Sequence, residues 1–368
     1  MKHIPFYTLV HQNRLIESEV HSFYKDLHAD AWYILGKRVL QFEKEYAAYH
    51  SIKHCIGVGN GLDALILSLR ALEIGKGDEV IVPANSFIAT MLAVTQVGAT
   101  PILVEPDSRT FNITTEEIQK KISSKTKAII PVHLYGLPCD MDAIGALAKK
   151  HNLDIIEDNA QAHGAMYKNQ KTGSFGIVNA TSFYPVKPLG AFGDGGAVTT
   201  NDDELNKKIR LLGNYGSAEK YYYQTVGVNS RLDEIQAGVL SIKLKYLEGW
   251  NEERVQLAGL YALLLKEVDA VLLPVSSSDW KHIYHQYVIQ TENRDELKEH
   301  LAKHGIETGI HYPVPAHLQK AYEFLNLKKG SLPITEKLSE TILSLPIYTG
   351  MQKSDVEYVC EVIRKFYK

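Results

Sequence analysis

The chain has 368 residues, of which 45% are hydrophobic and 23% are charged. Its 40 basic and 43 acidic residues leave a formal net charge of −3, so we expect neither a nucleic-acid nor a membrane partner. The first residues contain no apolar run of signal-peptide length, and no stretch approaches the roughly 20 apolar residues that span a bilayer. Three widely spaced cysteines, without a CxxC motif, lead us to expect a cytoplasmic protein.

Short apolar runs alternate with amphipathic stretches between residues 58 and 196. Alternating strand and helix periods imply crossover connections, which join parallel strands packed between two layers of helices. In chain order we predict helix 62–72, strand 79–82, helix 87–97, strand 101–104, helix 116–122, strand 127–132, helix 141–151, and strands 153–157, 181–184 and 197–199. The sequence therefore predicts an α/β fold with a mainly parallel central sheet.

The pattern changes after residue 229. Two long helices are predicted, 231–247 and 251–268, followed by a strand at 286–290 and helices at 295–304 and 335–344. A mixture of this kind is typical of a smaller α+β domain. We therefore expect a large α/β domain, residues 1–249, and a small C-terminal α+β domain, residues 250–368.

Asp158 follows the predicted strand 153–157, and ligands of open parallel sheets bind at the carboxyl ends of the strands. A carboxylate at a buried strand end needs a cationic partner to offset its desolvation. The protonated pyridine nitrogen of a cofactor would be such a partner. The alternative is that Glu157 or Asp158 only caps the next segment.

Lys187 lies in the apolar, glycine-rich segment SFYPVKPLGAFGDGG, which is a poor place for a solvated surface charge. Desolvation lowers the pKa of an amine and makes it a nucleophile that forms a Schiff base with an aldehyde. The alternative is a surface lysine whose stem is buried and whose ammonium reaches water.

A glycine-rich stretch, Gly57-Val58-Gly59-Asn60-Gly61, opens the predicted helix 62–72. A helix N-terminus with free amides binds anions, so this turn is a candidate phosphate site. Ser182 would add a hydroxyl from a neighbouring strand end. The alternative is a tight strand-to-helix turn without a ligand.

Five sequence blocks follow one another in a recognisable order. They are NG-x-DAL from Asn60, PANSFIAT from Pro83, EDNAQAHGA from Glu157, SFYPVKPLGAFGDGGAVTT from Ser182 and GVNSRLDEIQAGVL from Gly227. Together they resemble the DegT/DnrJ/EryC1/StrS family of sugar aminotransferases over nearly the whole chain. The resemblance implies the aspartate-aminotransferase-like fold of the fold-type I enzymes, with pyridoxal 5'-phosphate as the cofactor.

The resemblance also implies which residues face the cofactor ring. Lys187 would form the Schiff base, and Asp158 would pair with the pyridine nitrogen. Gln161 would face the ring hydroxyl, and Phe87 would stack on the ring, unless it is an ordinary core phenylalanine.

The phosphate contacts follow from the same resemblance. Gly61, Leu62 and Ser182 would hold the phosphate, and Leu62 replaces a threonine that many members have, so backbone amides must compensate. Asn229 would reach the phosphate of the other subunit, which makes the expected active unit a homodimer with shared sites. Arg231 would support that crossing loop or meet an anionic group of the substrate.

The reaction and the substrate are further expectations from the family. Members with histidine at the lysine position are dehydratases, so Lys187 favours transamination, with glutamate as the amino donor. The segment GIETGIHYPVPAHLQKAY resembles members that act on dTDP-linked 3-keto-6-deoxyhexoses. The expected product is a dTDP-3-amino-3,6-dideoxyhexose for glycans such as O-antigen or S-layer sugars. Candidate substrate contacts are Tyr184, His311, Tyr312 and His317.

Three alternatives remain open at this point. The enzyme could act on a C4 keto-sugar or an amino-cyclitol, because such enzymes share every cofactor residue. The chain could instead be a non-catalytic sensor or regulator that uses the same fold. A metal site built from His311 and His317 with His282 or His285 is not expected, since no acidic or thiol ligand joins them at the usual spacing.

Overall fold

The computed structural model describes residues 2–368. The α-helices are α1 (Val10–Leu15), α2 (Glu17–Asp30), α3 (Lys37–Tyr49), α4 (Gly61–Ala71), α5 (Ile88–Gln96), α6 (Thr115–Gln119), α7 (Met141–His151), α8 (Asp203–Gly213), α9 (Glu234–Leu244), α10 (Leu247–Leu265), α11 (Arg294–Lys303), α12 (Pro333–Thr341) and α13 (Lys353–Phe366). Short 3-10 helices cover Leu134–Gly136, Ala316–Leu318 and Lys320–Leu325. Within residues 2–368, no helix is both long enough and apolar enough for a membrane crossing.

The strands are β1 (His54–Val58), β2 (Glu79–Pro83), β3 (Thr100–Val104), β4 (Thr126–Ile129), β5 (Asp154–Asp158), β6 (Met166–Tyr167), β7 (Gln170–Lys171), β8 (Val178–Ser182), β9 (Gly196–Thr200), β10 (Ser217–Glu219), β11 (Tyr222–Tyr223), β12 (Trp280–Lys281), β13 (Tyr287–Gln290) and β14 (Ile342–Leu345). Seven of them form one sheet in the order β1-β9-β8-β5-β4-β2-β3. Strand β9 pairs antiparallel with both β1 and β8, so it runs against the other six strands. The prediction of a mainly parallel α/β sheet is confirmed.

Burial on both faces explains why the strands read as continuous apolar runs. In β2, Val80 and Val82 pack in the core under α4, α5 and α8, whereas Ile81 packs in the core under α6 and α7. All three side chains are fully buried. Side chains alternate between the two faces of a strand, so a strand covered by helices on both sides needs apolar residues at every position.

The C-terminal part differs from the prediction at one element. Helix α12 ends at Thr341, and residues 342–345, which include the end of the predicted helix 335–344, form strand β14. Strand β14 pairs antiparallel with β13, and its side chains are buried. A β-branched residue begins this run and Pro346 follows it, and the residue before a proline disfavours helical backbone, so the extended form wins.

The long helices near residue 250 also begin and end elsewhere than predicted. Instead of helix 231–247, the chain stays non-helical through Leu232 and starts α9 at Glu234, and the buried side chain of Leu232 packs against Gly57 of β1 and Gly195 before β9. Helix α10 passes through the predicted boundary without a break. Ile4 pairs with Ile306 and lies in the C-terminal core, so the first residues pack away from the large sheet. The division into a domain of residues 1–249 and a domain of residues 250–368 stays a prediction. The packing of Ile4 in the C-terminal core departs from that division.

Glu157 is fully buried on β5 and ties this strand to the turn that precedes β8. Its carboxylate accepts hydrogen bonds from the backbone N–H groups of Gly173 at 2.8 Å and Gly176 at 3.0 Å. His133 Nε2 donates to it at 2.7 Å, because His133 Nδ1 already accepts from the N–H of Cys139. Burial alone would raise the pKa of Glu157, but these donors outweigh it, and the pKa is lowered below the ordinary 4.5.

We predict that Glu157→Gln lowers the free energy of unfolding by about 2–4 kcal/mol, because an amide NH₂ would face backbone N–H groups. A lowered pKa contributes stability above the unfolded value of 4.5, and that stability is lost as the pH falls through the folded value. Urea unfolding at neutral pH and near pH 4 should therefore show a weaker acid dependence in the variant. The exposed Glu204→Gln is the control. Equal unfolding curves for wild type and Glu157→Gln would contradict the prediction.

Candidate active site

The carboxyl edge of the sheet brings most of the predicted cofactor residues together. Asp158 ends β5 and Ser182 ends β8, and these two strands are parallel neighbours. Lys187 lies in the loop that follows β8. The end of β1 leads to Gly61, and the end of β2 leads to Phe87. Because parallel strands end at one edge, residues that are far apart in the sequence meet there.

Asp158 is only 6% exposed, and two donors orient its carboxylate. Thr90 Oγ1 donates to Oδ2 at 3.0 Å, and the N–H of Ala160 donates to Oδ1 at 3.2 Å. Burial raises the pKa of Asp158, although these donors and the positive charges of Lys187 and His133 oppose the shift. A cationic ring nitrogen at this carboxylate would offset the desolvation, so the site fits a protonated pyridine.

Thr90 was not among the predicted site residues. It stands in the first turn of α5, three residues after Phe87, at the end of the block PANSFIAT. A hydroxyl one turn after an aromatic residue in that block was the available signal. Its partner, 68 residues away in the chain, could not be known before the strands were placed.

The Lys187 side chain is partly accessible, yet protein atoms surround its amine. Burial lowers the pKa of Lys187 to about 8, while the negative charge of Asp158 partly opposes this shift. An amine with such a pKa is partly unprotonated near neutral pH and can act as a nucleophile or base. The role of Lys187 in a Schiff base stays a prediction.

The N-terminus of α4 is open toward the end of β8. Asn60 caps the helix by accepting from the N–H of Asp63 at 2.9 Å, and Gly61 is the first helical residue. A Cβ on Gly61 would lie only 2.5 Å from Cβ of Ser182, so the helix end and the hydroxyl approach as closely as a glycine allows. The side chain of Leu62 packs against the apolar core, and its backbone N–H lies in the first turn of α4, where N–H groups have no partner within the helix. Free amides beside a hydroxyl fit a phosphate group.

Three residues surround the space between this edge and the C-terminal part. Gln161 accepts from the N–H of Tyr135 at 2.7 Å and donates to the Tyr312 hydroxyl at 3.4 Å. The Phe87 ring is 51% exposed and lies 5.4 Å from the Tyr312 ring, centroid to centroid. Tyr312 thus connects Gln161 with Phe87, and the predicted contacts of these two residues with a cofactor ring stay predictions.

His311 lies next to Tyr312 and is held by Ser344, whose hydroxyl is 2.8 Å from Nδ1. Burial, helped by the charge of Lys187, lowers the pKa of His311 to about 4. The ring is therefore neutral at physiological pH and offers a hydrogen bond rather than a charge. Tyr184 is exposed at the rim of the Lys187 loop.

His317 does not join this group. Its side chain is 1% exposed, and Nε2 lies 3.0 Å from the carboxylate of Glu336, which also binds the N–H groups of Gly330 and Leu332. The predicted contact with a substrate is therefore replaced by a structural one, because the ring faces the protein interior behind the cleft-lining segment. Within residues 2–368, no three His, Cys, Asp or Glu side chains are grouped so as to hold a metal ion.

Asn229 and Arg231 belong to a segment whose contacts are with the turn before α4 and with residues 214–215. Asn229 is exposed, and its neighbour Ser230 accepts from the N–H of Gly59 at 3.0 Å and donates to Asp63 at 2.7 Å. Arg231 donates to Asn214 at 3.1 Å and lies over the ring of Tyr215. The segment 229–231 is thus tied to the turn before α4 of its own chain, and Arg231 makes structural contacts.

The seven-stranded sheet and the buried lysine and aspartate beside an open helix N-terminus define a fold-type I, pyridoxal-phosphate-dependent transferase. The chain belongs to the DegT/DnrJ/EryC1/StrS aminotransferase family, whose sequence pattern matches residues 15–364. The predicted family is confirmed.

Comparison with individual proteins agrees with this assignment. The chain is 48% identical to dTDP-3-amino-3,6-dideoxy-alpha-D-galactopyranose transaminase of Aneurinibacillus thermoaerophilus, with 99% of each chain covered. It is 47% identical to dTDP-3-amino-3,4,6-trideoxy-alpha-D-glucose transaminase of Streptomyces venezuelae, over 91% of this chain and 88% of the relative. The crystal structure of S. venezuelae DesV in complex with a ketimine intermediate is 44% identical, with a TM-score of 0.98, and the match covers 100% of this chain and 99% of DesV.

We predict that Asp158→Asn lowers the pKa of Lys187 further below its ordinary value, because the lost negative charge had opposed the effect of burial. Competitive acetylation of the cofactor-free protein between about pH 6 and pH 10, read by peptide mass spectrometry, measures this pKa. Asp154→Asn, at the opposite end of β5, is the matched control and should leave the Lys187 titration unchanged. A midpoint that stays in place or rises in Asp158→Asn would show that the two groups do not interact.

Proposed function

We propose that the protein transfers the amino group of glutamate to C3 of a dTDP-linked 3-keto-6-deoxyhexose, giving a dTDP-3-amino-3,6-dideoxyhexose. The observation that carries this proposal is the Lys187 amine with a pKa of about 8 near the buried Asp158, in a chain 48% identical to a transaminase of that sugar class. We place the enzyme in the cytoplasm, where its three buried, unpaired cysteines would stay reduced.

When bound, pyridoxal phosphate supplies an electron-withdrawing ring that stabilises the charge left after a proton leaves the amino carbon. Asp158 would keep the ring nitrogen protonated, and Thr90 and Ala160 hold its carboxylate in place for this. The amides of Gly61 and Leu62 would bind the phosphate.

Ser182 would add its hydroxyl to the phosphate from the end of β8, and Gln161 would bind the ring hydroxyl. Phe87 would cover one face of the ring with its exposed aromatic surface. Ser182 ends β8, Gln161 lies in the turn after β5, and Phe87 lies between β2 and α5, so the sheet positions the whole set.

Lys187 Nζ would remove the proton from the amino carbon of glutamate and later return a proton to C3 of the sugar. A base is most useful when its pKa lies near the working pH, and burial brings the pKa of this amine to about 8. Transfer in both directions by one group requires that it alternate between charged and neutral forms. An ordinary lysine, with a pKa near 10.5, would be almost entirely charged.

The sugar would lie against Tyr184, which is exposed three residues before Lys187, and against His311 and Tyr312 on the facing C-terminal segment. His311 is neutral and already shares Nδ1 with Ser344, so Nε2 is the atom left for a sugar hydroxyl. The names of the relatives support a dTDP-linked substrate aminated at C3.

We further propose a homodimer in which Asn229 completes the partner's phosphate site. The segment that leads to Asn229 exposes Tyr221, Tyr222, Tyr223 and Val226, all more than half accessible. Large apolar side chains on one exposed segment favour contact with another protein surface. Ser230 anchors the end of this segment to the turn before α4 through two hydrogen bonds. These bonds support a fixed position for the neighbouring Asn229.

The proposed reaction is tested with purified protein, pyridoxal phosphate, glutamate and separate dTDP-linked 3-keto and 4-keto hexoses. We expect amination at C3 only, identified by mass spectrometry and NMR, and borohydride should fix the cofactor on Lys187. Lys187→Ala should abolish transfer, and Asp158→Asn should remain folded but slow it about a thousandfold, about 4 kcal/mol in barrier. Amination at C4 would overturn the position, and no transfer to either sugar would overturn the sugar substrate.

The shared site is tested by mixing inactive variants. Lys187→Ala chains mixed with Asn229→Ala chains should regain about a quarter of wild-type activity, because random exchange makes half of the dimers mixed, each with one intact site. Lys187→Ala mixed with Asp158→Ala is the matched control, since both residues would come from the same chain, and this mixture should stay inactive. If subunit exchange is seen by mass spectrometry and the two mixtures are equally inactive, Asn229 does not cross the interface.

A further inference from the structure

Lys243, on α9, is a second buried lysine near the Lys187 loop. Its side chain is 1% exposed, and Nζ donates to the carbonyl of Gly190 at 2.7 Å. The ammonium also lies 4.5 Å from the centroid of the Phe192 ring. Both partners belong to the segment that follows Lys187 in the chain.

The environment of Lys243 contains no acidic partner among residues 2–368. Burial is the cause that lowers the pKa of Lys243, to about 8, and no neighbouring charge contributes. A buried ammonium without a carboxylate is costly, and an apolar side chain of similar size would often be neutral or stabilising in its place. The position therefore needs a reason other than overall stability.

The shape of the Lys187 loop, residues 183–191, suggests why a lysine is needed at position 243. The N–H of Ala191 donates to the carbonyl of Phe183 at 2.7 Å, and this bond closes the loop at its base. A Cβ on Gly190 would lie 2.1 Å from the carbonyl oxygen of Pro185, so the two sides of the loop touch there. Lys243 binds the carbonyl of Gly190 at this closing point.

Helix α9 makes both apolar and polar contacts with residues 189–192, at the C-terminal end of this loop. Leu189 and Ala191 are fully buried in the core formed by α3 and α9. Gln236 accepts from the N–H of Phe192 at 2.9 Å. Thus α9 binds the loop on the C-terminal side of Lys187, and Lys243 provides the charged contact.

We propose that Lys243 is a positioning residue for Lys187: by binding the Gly190 carbonyl and the Phe192 ring, it closes the loop that presents the Lys187 amine near Asp158. The proposal rests on the proposed function for its catalytic meaning, while the loop closure itself is a property of the cofactor-free chain. A group with this role affects the order of the loop and the fit of the cofactor more than the stability of the fold.

Hydrogen–deuterium exchange of the full-length, cofactor-free protein tests the closure. Lys243→Met keeps the length of the side chain and removes the ammonium. We expect amides in residues 183–191 to exchange about tenfold faster, the size expected from one lost charged hydrogen bond, with an unfolding midpoint equal to or above that of wild type. Lys245→Met is the matched control, because Lys245 is 61% exposed, pairs with Glu19 and lies two residues further along the chain, at the C-terminal cap of α9.

A second measurement connects the loop to the site. Absorbance titration should give a dissociation constant for pyridoxal phosphate about tenfold higher in Lys243→Met than in Lys245→Met. Lys243→Arg, which keeps a charged donor, should restore part of that affinity, and it replaces the methionine variant if that one does not fold. Unchanged exchange in residues 183–191, or faster exchange spread over the whole chain, would overturn the proposal. If the proposed function itself is wrong, the wild-type protein would carry no cofactor on Lys187 after borohydride reduction.

Discussion

A carboxylate and an amine share a poorly solvated space at the carboxyl edge of the sheet, and the site depends on how they affect each other. Burial alone favours the neutral form of both groups, raising the pKa of Asp158 and lowering that of Lys187 to about 8. Their opposite charges counteract both shifts. The charge of Asp158 keeps the Lys187 amine more basic than burial alone would, and the charge of Lys187 favours the carboxylate form of Asp158, which is the form that can hold a cationic ring. Thr90 and Ala160 preserve this balance because they orient the carboxylate without adding charge.

The central sheet could be predicted because its strands are buried on both faces and connected by amphipathic helices, a pattern that reads directly from local sequence. Errors occurred where a distant contact overrides local periodicity. Residues 342–345 continue the apolar pattern of α12 but pair with β13 instead, more than 50 residues earlier in the chain. Leu232 looks like the start of a helix, yet it stays non-helical, and its side chain packs against the glycines of β1 and of the turn before β9.

Among the site residues, too, those marked by local sequence could be predicted, whereas roles that depend on distant contacts could not. Lys187, Asp158, Gly61 and Ser182 were identifiable, since each lies in a recognisable block next to a strand end. Thr90 also lies in such a block, but its partner Asp158 is 68 residues away, and Lys243 is 53 residues from its partner Gly190, so neither contact could be assigned from the sequence. His317 stands in a recognisable block as well, but a sequence motif does not say which way a side chain points.

The anchoring of the segment 311–318 has a consequence for how sugar specificity can change during evolution. The cleft-lining residues His311 and Tyr312 belong to a segment whose far end is fixed from behind by His317 on Glu336. Helix α12, which carries Glu336, is held in turn by Glu105, which binds the N–H of Thr335 at 2.9 Å. Substitutions at Glu336 or Glu105 would therefore change the support of His311 and Tyr312 while leaving both of these residues unaltered. The proposed substrate contacts of His311 and Tyr312 could thus change through residues that the substrate does not touch.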